Sequence, residues 1–221
     1  QSWKSYSAGM PPFFDFNIKG GEGYLVRMTS SAEVVFSGKG WDSPFTISLA
    51  QGYNLIGLPV NDTSVMKASS LISKIGENCT EVLRWDAETQ SWKSYSAGMP
   101  PFFDFNIKGG EGYLVRMTSS AEVVFSGKGW DSPFTISLAQ GYNLIGLPVN
   151  DTSVMKASSL ISKIGENCTE VLRWDAETQS WKSYSAGMPP FFDFNIKGGE
   201  GYFVRMSESA IVIFEGTPWS D

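Results

Sequence analysis

The chain has 221 residues, 42% hydrophobic and 18% charged, the balance of a globular fold and not of a disordered or membrane-spanning chain. Its formal net charge is −6, its pI is near 4.8 and its basic residues are scattered singly, which excludes the clustered Lys and Arg that nucleic-acid binding requires. Histidine is absent, removing the commonest general base and metal ligand, and no apolar run approaches the ~18–20 residues of a transmembrane helix, so no membrane insertion is expected.

The second half of the chain copies the first. Residues 1–113 reappear letter for letter as 90–202, an offset of 89 positions. The copies diverge only near the C-terminus, where Leu114 becomes Phe203 and the segment 118–129 is rewritten as 207–218, with Glu122 and Val124 replaced by Ile211 and Ile213. Terminal repeats are commonly atypical. Reading the divergence that way sets the phase: 1–41 is the C-terminal half of a preceding repeat, 42–130 a full repeat, and 131–221 a full, divergent terminal repeat. Recent natural duplication is the reading adopted, although engineered duplication leaves the same pattern.

Within the repeat, Pro44-Phe45-Thr46-Ile47-Ser48-Leu49 alternates with the period of a half-buried strand. Gln51-Gly52 makes a turn into Tyr53–Val60, a more fully buried second strand that Pro59 must end or confine to an edge; the two are expected to form a hairpin. A helix of about three turns follows, with Asp62, Thr63 and Ser64 as cap candidates, Val65, Ala68, Leu71, Ile72 and Ile75 as its apolar stripe, and Gly76 at its end. Strands at 81–85 and 90–95 flank a polar turn. An irregular apolar segment around Pro100-Pro101-Phe102-Phe103, expected to be pinned over a core edge like a lid, leads to the Lys108–Gly112 turn, then to strands at 113–117 and 121–125. The order β-β-α-β-β-β-β with short connections makes the chain mainly β (α+β): an antiparallel β-sandwich or barrel-like unit with one short helix per 89-residue repeat.

Few residues invite chemistry. Gly109-Gly110-Glu111-Gly112 opens a strand and not a helix, which makes it a turn and not a phosphate loop. Asp104, Asn106 and Glu111 offer oxygens to a hard cation but lack the alternating spacing of a calcium loop. No Ser or Cys has a histidine partner and no carboxylate pair stands out, so no catalytic, metal or cofactor residue is assigned and an enzyme is not expected. Cys79 and Cys168 occupy one position in successive repeats and read as buried free thiols. Asn61, Asn78, Asn150 and Asn167 head N-x-Thr acceptor patterns beside turns and are candidate glycosylation sites. Period-2 alternation puts Trp92 and Tyr95, and likewise Trp181 and Tyr184, on opposite faces, which makes these four the candidates for stacking on sugar rings; core packing is the competing reading.

Gly52-Tyr53-Asn54-Leu55-Ile56-Gly57-Leu58-Pro59, Leu83-Arg84-Trp85-Asp86 with Ser91-Trp92-Lys93-Ser94-Tyr95, and Gly109-Gly110-Glu111-Gly112-Tyr113-Leu114-Val115 together resemble a tandem repeat of archaeal and bacterial cell-surface proteins, S-layer-associated or adhesin-like. Its members read roughly "GWNLISLP", "W-polar-W-x-x-Y" and "GKGYWI". The likeness spans the 89-residue unit, with Tyr53 in place of the usual Trp and Glu111 in place of the usual Lys. It implies an extracellular, surface-located, non-enzymatic structural or adhesion module without a cofactor. Neighbouring repeats and cell-wall or surface glycans are the partners it suggests. A carbohydrate-binding module repeated for avidity is the alternative. The Trp85–Trp92 pair also resembles a kelch blade, but a helix in each repeat is foreign to that fold. Residues 1–42 supply an apolar face (Trp3, Phe13, Phe14, Phe16, Val34, Phe36) and strand edges, which are expected to dock on the following unit or to pair in a strand-swapped homodimer.

Overall fold

The computed structural model describes residue 7, residues 10–15 and residues 42–219. The expectations of a half repeat at 1–41 and of docking or swapping through 1–42 therefore lie almost wholly outside the described residues. Only Phe13 and Phe14 of the expected apolar face fall inside, both exposed.

The chain is mainly β, with antiparallel sheets and two short helices. The first repeat consists of β1 (Asp42–Leu49), β2 (Gly52–Gly57), α1 (Ala68–Ile75), β3 (Cys79–Asp86), β4 (Ser91–Ser96), β5 (Gly112–Met117) and β6 (Ala121–Lys128). The second returns the same order as β7 (Phe134–Leu138), β8 (Gly141–Gly146), α2 (Ala157–Ile164), β9 (Cys168–Asp175), β10 (Ser180–Ser185), β11 (Gly201–Met206) and β12 (Ala210–Phe214).

The expected hairpin of the first two strands does not form. β1 pairs with β6, Phe45 opposite Phe125, whereas β2 pairs with β5, Leu55 opposite Leu114. The turn at Ala50-Gln51 is a corner between two sheets. Asn54 holds it, accepting from the Ala50 amide at 2.8 Å and donating to the Ala50 carbonyl at 2.8 Å. Each repeat thus consists of a two-stranded ribbon and a four-stranded sheet of order β2-β5-β3-β4, repeated as β8-β11-β9-β10. β2 stops at Gly57, before Pro59, and lies at the edge of its sheet, as a residue without an N–H requires.

The helix also starts later than its cap candidates predicted. Asp62 accepts from the Ser64 amide and hydroxyl and forms a turn instead. The helix begins after Lys67, whose amide donates to Ser70 Oγ at 2.8 Å, and Asp104 takes the Ser69 amide and hydroxyl at 2.9 and 2.7 Å. Only eight residues are helical, too few to persist alone. The stripe Ala68, Leu71, Ile72 and Ile75 is buried in one cluster with Phe45, Ile47, Val82, Tyr113, Val115 and Phe125. The equivalent cluster fills the second repeat.

Candidate functional site: the face between the repeats

The central strands are apolar at consecutive positions, and each alternate residue has its own destination. Ile56, Tyr113 and Val115 enter the core of the first repeat. Leu55 and Leu114, of opposite parity, join Leu144, Leu172, Phe203, Trp85, Tyr142 and Trp174 in a cluster drawn from both repeats. The two four-stranded sheets therefore cover each other with the faces their own ribbons and helices leave open, in a sandwich-like arrangement.

The contacts across this face come in reciprocal pairs 89 residues apart. Trp85 Nε1 donates to the Tyr142 carbonyl at 2.7 Å, and Trp174 Nε1 to that of Tyr53 at 2.5 Å. The Tyr142 amide donates to Gln90 Oε1 at 2.8 Å, the Tyr53 amide to Gln179 Oε1 at 2.7 Å, and each glutamine's Nε2 returns a bond of 3.0 Å to the same tyrosine's carbonyl. Gly57 N reaches Gly199 O at 3.0 Å and Gly146 N reaches Gly110 O at 3.1 Å. Equivalent residues also meet each other: a Cβ on Gly57 would stand 2.6 Å from Gly146 Cα, and the converse distance is the same. Reciprocal contacts, with Trp85 on Tyr142 mirrored by Trp174 on Tyr53 and Gly57 meeting Gly146, are those of a two-fold relation, so the face is isologous. Trp130 and Trp219 close the repeats, their indole N–H groups on the Leu58 and Leu147 carbonyls at 2.9 and 2.8 Å and their rings packed against both cores.

Phe203 breaks the symmetry. Its ring centroid lies 5.3 Å from Trp85, 5.6 Å from Trp92, 5.9 Å from Tyr142 and 5.4 Å from Trp181, so it bridges indoles of both repeats. Its equivalent, Leu114, packs at the margin of the same cluster. The substitution was visible in the sequence; its place at the centre of a contact was not.

The stacking candidates separate as their alternation requires. Tyr95 and Tyr184 are core residues, whereas Trp92 and Trp181 are 37% and 42% exposed, each edge-on to the tryptophan opposite it, Trp85 or Trp174. Among the acceptor asparagines, Asn61 is exposed and Asn78, Asn150 and Asn167 are half-buried at the surface. Asn78 Oδ1 accepts the Thr118 hydroxyl at 3.2 Å and Asn167 Oδ1 that of Ser207 at 3.3 Å. The three oxygen residues considered for a cation serve separate tasks: Asp104 on the helix N-terminus, the backbone of Asn106 bridged to Lys67, and Glu111 accepting the Tyr113 hydroxyl at 2.8 Å. No group of three metal-ligating side chains occurs among the described residues. Cys79 and Cys168 are buried free thiols, and burial pushes each up to about 11.

Two features escaped the sequence reading. Asp62 and Asp151 are buried hubs. Burial works to raise the Asp62 carboxyl, but the Ser64 hydroxyl, the Ser126 amide, the Lys74 ammonium at 3.0 Å and the Ser64 amide outweigh it and hold the pKa at about 2. Asp151 is held at about 2 against the same burial by Ser153, Lys163 and the Glu215 amide. The second is the outcome at the Pro-Pro-Phe-Phe segment: expected to be pinned over a core edge, it forms a knob on a proline-initiated single turn, with Phe102 and Phe191 each 81% exposed.

No helix among the described residues is long and apolar enough to cross a membrane. Compared with models of protein families, with curated proteins and with solved structures, the chain finds no match.

Proposed function

We propose that the chain is a non-enzymatic structural or adhesion module of a cell-surface protein, in which tandem repeats give a stiff, extracellular element. The observation that carries this reading is the reciprocal lock between two near-identical repeats. Sheet faces that bury one another convert duplication into one continuous body, whereas independent beads on a string would keep those faces polar. The functional groups with shifted protonation are engaged in local architecture, Asp62 in a turn and the tyrosine hydroxyls on neighbouring carboxylates. The resemblance of the repeat motifs to surface-protein repeats supplies the location. Protease shaving of intact source cells tests it: the reading requires release of fragments of this chain before cytoplasmic markers, and retention until lysis refutes it. Mass spectrometry of the same fragments reads the glycan occupancy of Asn61, Asn78, Asn150 and Asn167.

The partial exposure of Trp92 and Trp181 favours a second reading, a carbohydrate-binding module with two equivalent indoles acting together. A polysaccharide pull-down separates the two. Retention lost on Trp92→Ala plus Trp181→Ala supports sugar binding, and no retention by the unmodified chain supports the structural module.

A further inference from the structure

We propose that position 114 of one repeat and its equivalent 203 of the other form the specificity determinant of repeat pairing, and that the isologous face accepts one leucine-bearing and one phenylalanine-bearing repeat. The two side chains occupy related places beside a two-fold axis and share one apolar cluster. The space between Trp85, Trp92, Tyr142 and Trp181 is filled once, by the Phe203 ring. A pair of two leucine-bearing repeats leaves the volume of that ring unfilled and removes its contacts with three indoles, two edge-on and one tilted. A pair of two phenylalanine-bearing repeats sets a second, larger ring where half-buried Leu114 packs against the same cluster. Both like pairs lose to the mixed one.

The consequence is a choice of partner. The sequence carries this position three times, as Leu25, Leu114 and Phe203, each within Gly-Tyr-x-Val-Arg-Met. An isologous face that prefers unlike residues directs the repeat at 42–130 to the repeat at 131–219 and disfavours a repeat identical to itself.

The full chain tests this by exchanging the two side chains. Phe203→Leu makes the pair leucine–leucine, Leu114→Phe makes it phenylalanine–phenylalanine, and Leu114→Phe with Phe203→Leu restores an unlike pair in the opposite order. Each single substitution should lower the melting temperature by about 4 °C, the range one to two lost core contacts produce in a chain of this length. The exchanged variant should melt within about 2 °C of the unmodified chain. Hydrogen exchange supplies a readout that core damage alone does not move. The Tyr53 and Tyr142 amides, bonded to Gln179 and Gln90 across the face, should exchange about tenfold faster in each single variant and recover in the exchanged one. The Gly76 and Gly165 amides, bonded within their own helices' last turns, should change less. An exchanged variant as destabilised as the two singles together, or one that fails to fold, overturns the proposal. A Leu114→Phe single variant that fails to fold while the exchanged variant folds supports it.

Discussion

Replacing the buried hub by its neutral isostere, Asp62→Asn, separates charge from shape at one position. The folded carboxylate titrates at about 2 against an ordinary value of 3.8. Each tenfold change in proton affinity is about 1.36 kcal/mol, so the ionised hub stabilises the fold by about 2.4 kcal/mol at neutral pH. Because the folded value is depressed, that stability is present above the unfolded pKa and lost as pH falls through the folded one. The linkage relation leaves about 1.3 kcal/mol at pH 3 and about 0.4 kcal/mol at pH 2. Urea unfolding of the unmodified chain and of the variant, at pH 7, 3 and 2, measures the difference directly. The variant should be weaker by about 2 kcal/mol at pH 7 and should converge on the unmodified chain by pH 2. Asp151→Asn should follow the same curve, since its partners are the equivalent ones and Lys163 stands 3.1 Å away. A deficit of the same size at every pH would show that hydrogen-bond geometry, and not the charge, makes the hub stabilising.

Gly57→Ala places a methyl 2.6 Å from Gly146 Cα and 2.9 Å from the Glu200 carbonyl; it should cost about 1–3 kcal/mol through the separation of the two sheets, visible as a lower urea midpoint together with faster exchange of the Tyr53 and Tyr142 amides. The thiols of Cys79 and Cys168, buried and pushed up to about 11, should react with an aromatic disulfide reagent at pH 8 only as fast as the chain opens, so that adding urea accelerates labelling of both together.

How much of this was legible in the residues depends on the range of the interaction concerned. Period-2 alternation placed Trp92 and Tyr95 on opposite faces, and the stripe of Ala68, Leu71, Ile72 and Ile75 located the helix, because both are local consequences of backbone geometry. The pairing of β1 was misjudged because its partner, β6, lies at the far end of the repeat, while the shorter connection to β2 made a hairpin the default. The helix start was misjudged for a related reason. Asp62 looks like a cap, but it bonds Ser64 in a turn and is engaged by Lys74 and by the Ser126 amide, which is remote in sequence, while Asp104 reaches back over 35 positions to take the Ser69 amide. One signal of the inter-repeat face was available: Leu55-Ile56 and Tyr113-Leu114-Val115 are apolar on both parities, and a strand apolar on both sides needs two covers. One repeat supplies a single cover, its ribbon and helix. The second had to come from another sheet. The outward-facing Ile211 and Ile213 of β12, exposed where the first repeat has Glu122 and Val124, have no explanation in the structure.

The symmetry of the contact decides what duplication achieves here. A solenoid repeat offers two different faces, one to each neighbour, so copies add without limit. The repeats described here share one face, and an isologous face is consumed when it pairs. Gly57 against Gly146, Trp85 and Gln90 on Tyr142, and Trp174 and Gln179 on Tyr53 leave neither repeat a second copy of that surface to offer. The unit of construction is therefore the pair. Its outward surfaces are the ribbons, the helices and the Phe-Phe knobs, each presented twice about the axis. A partner that recognises any of these meets two equivalent sites held at a fixed separation, so its second contact forms intramolecularly, and avidity follows from the lock between the sheets without any new binding residue.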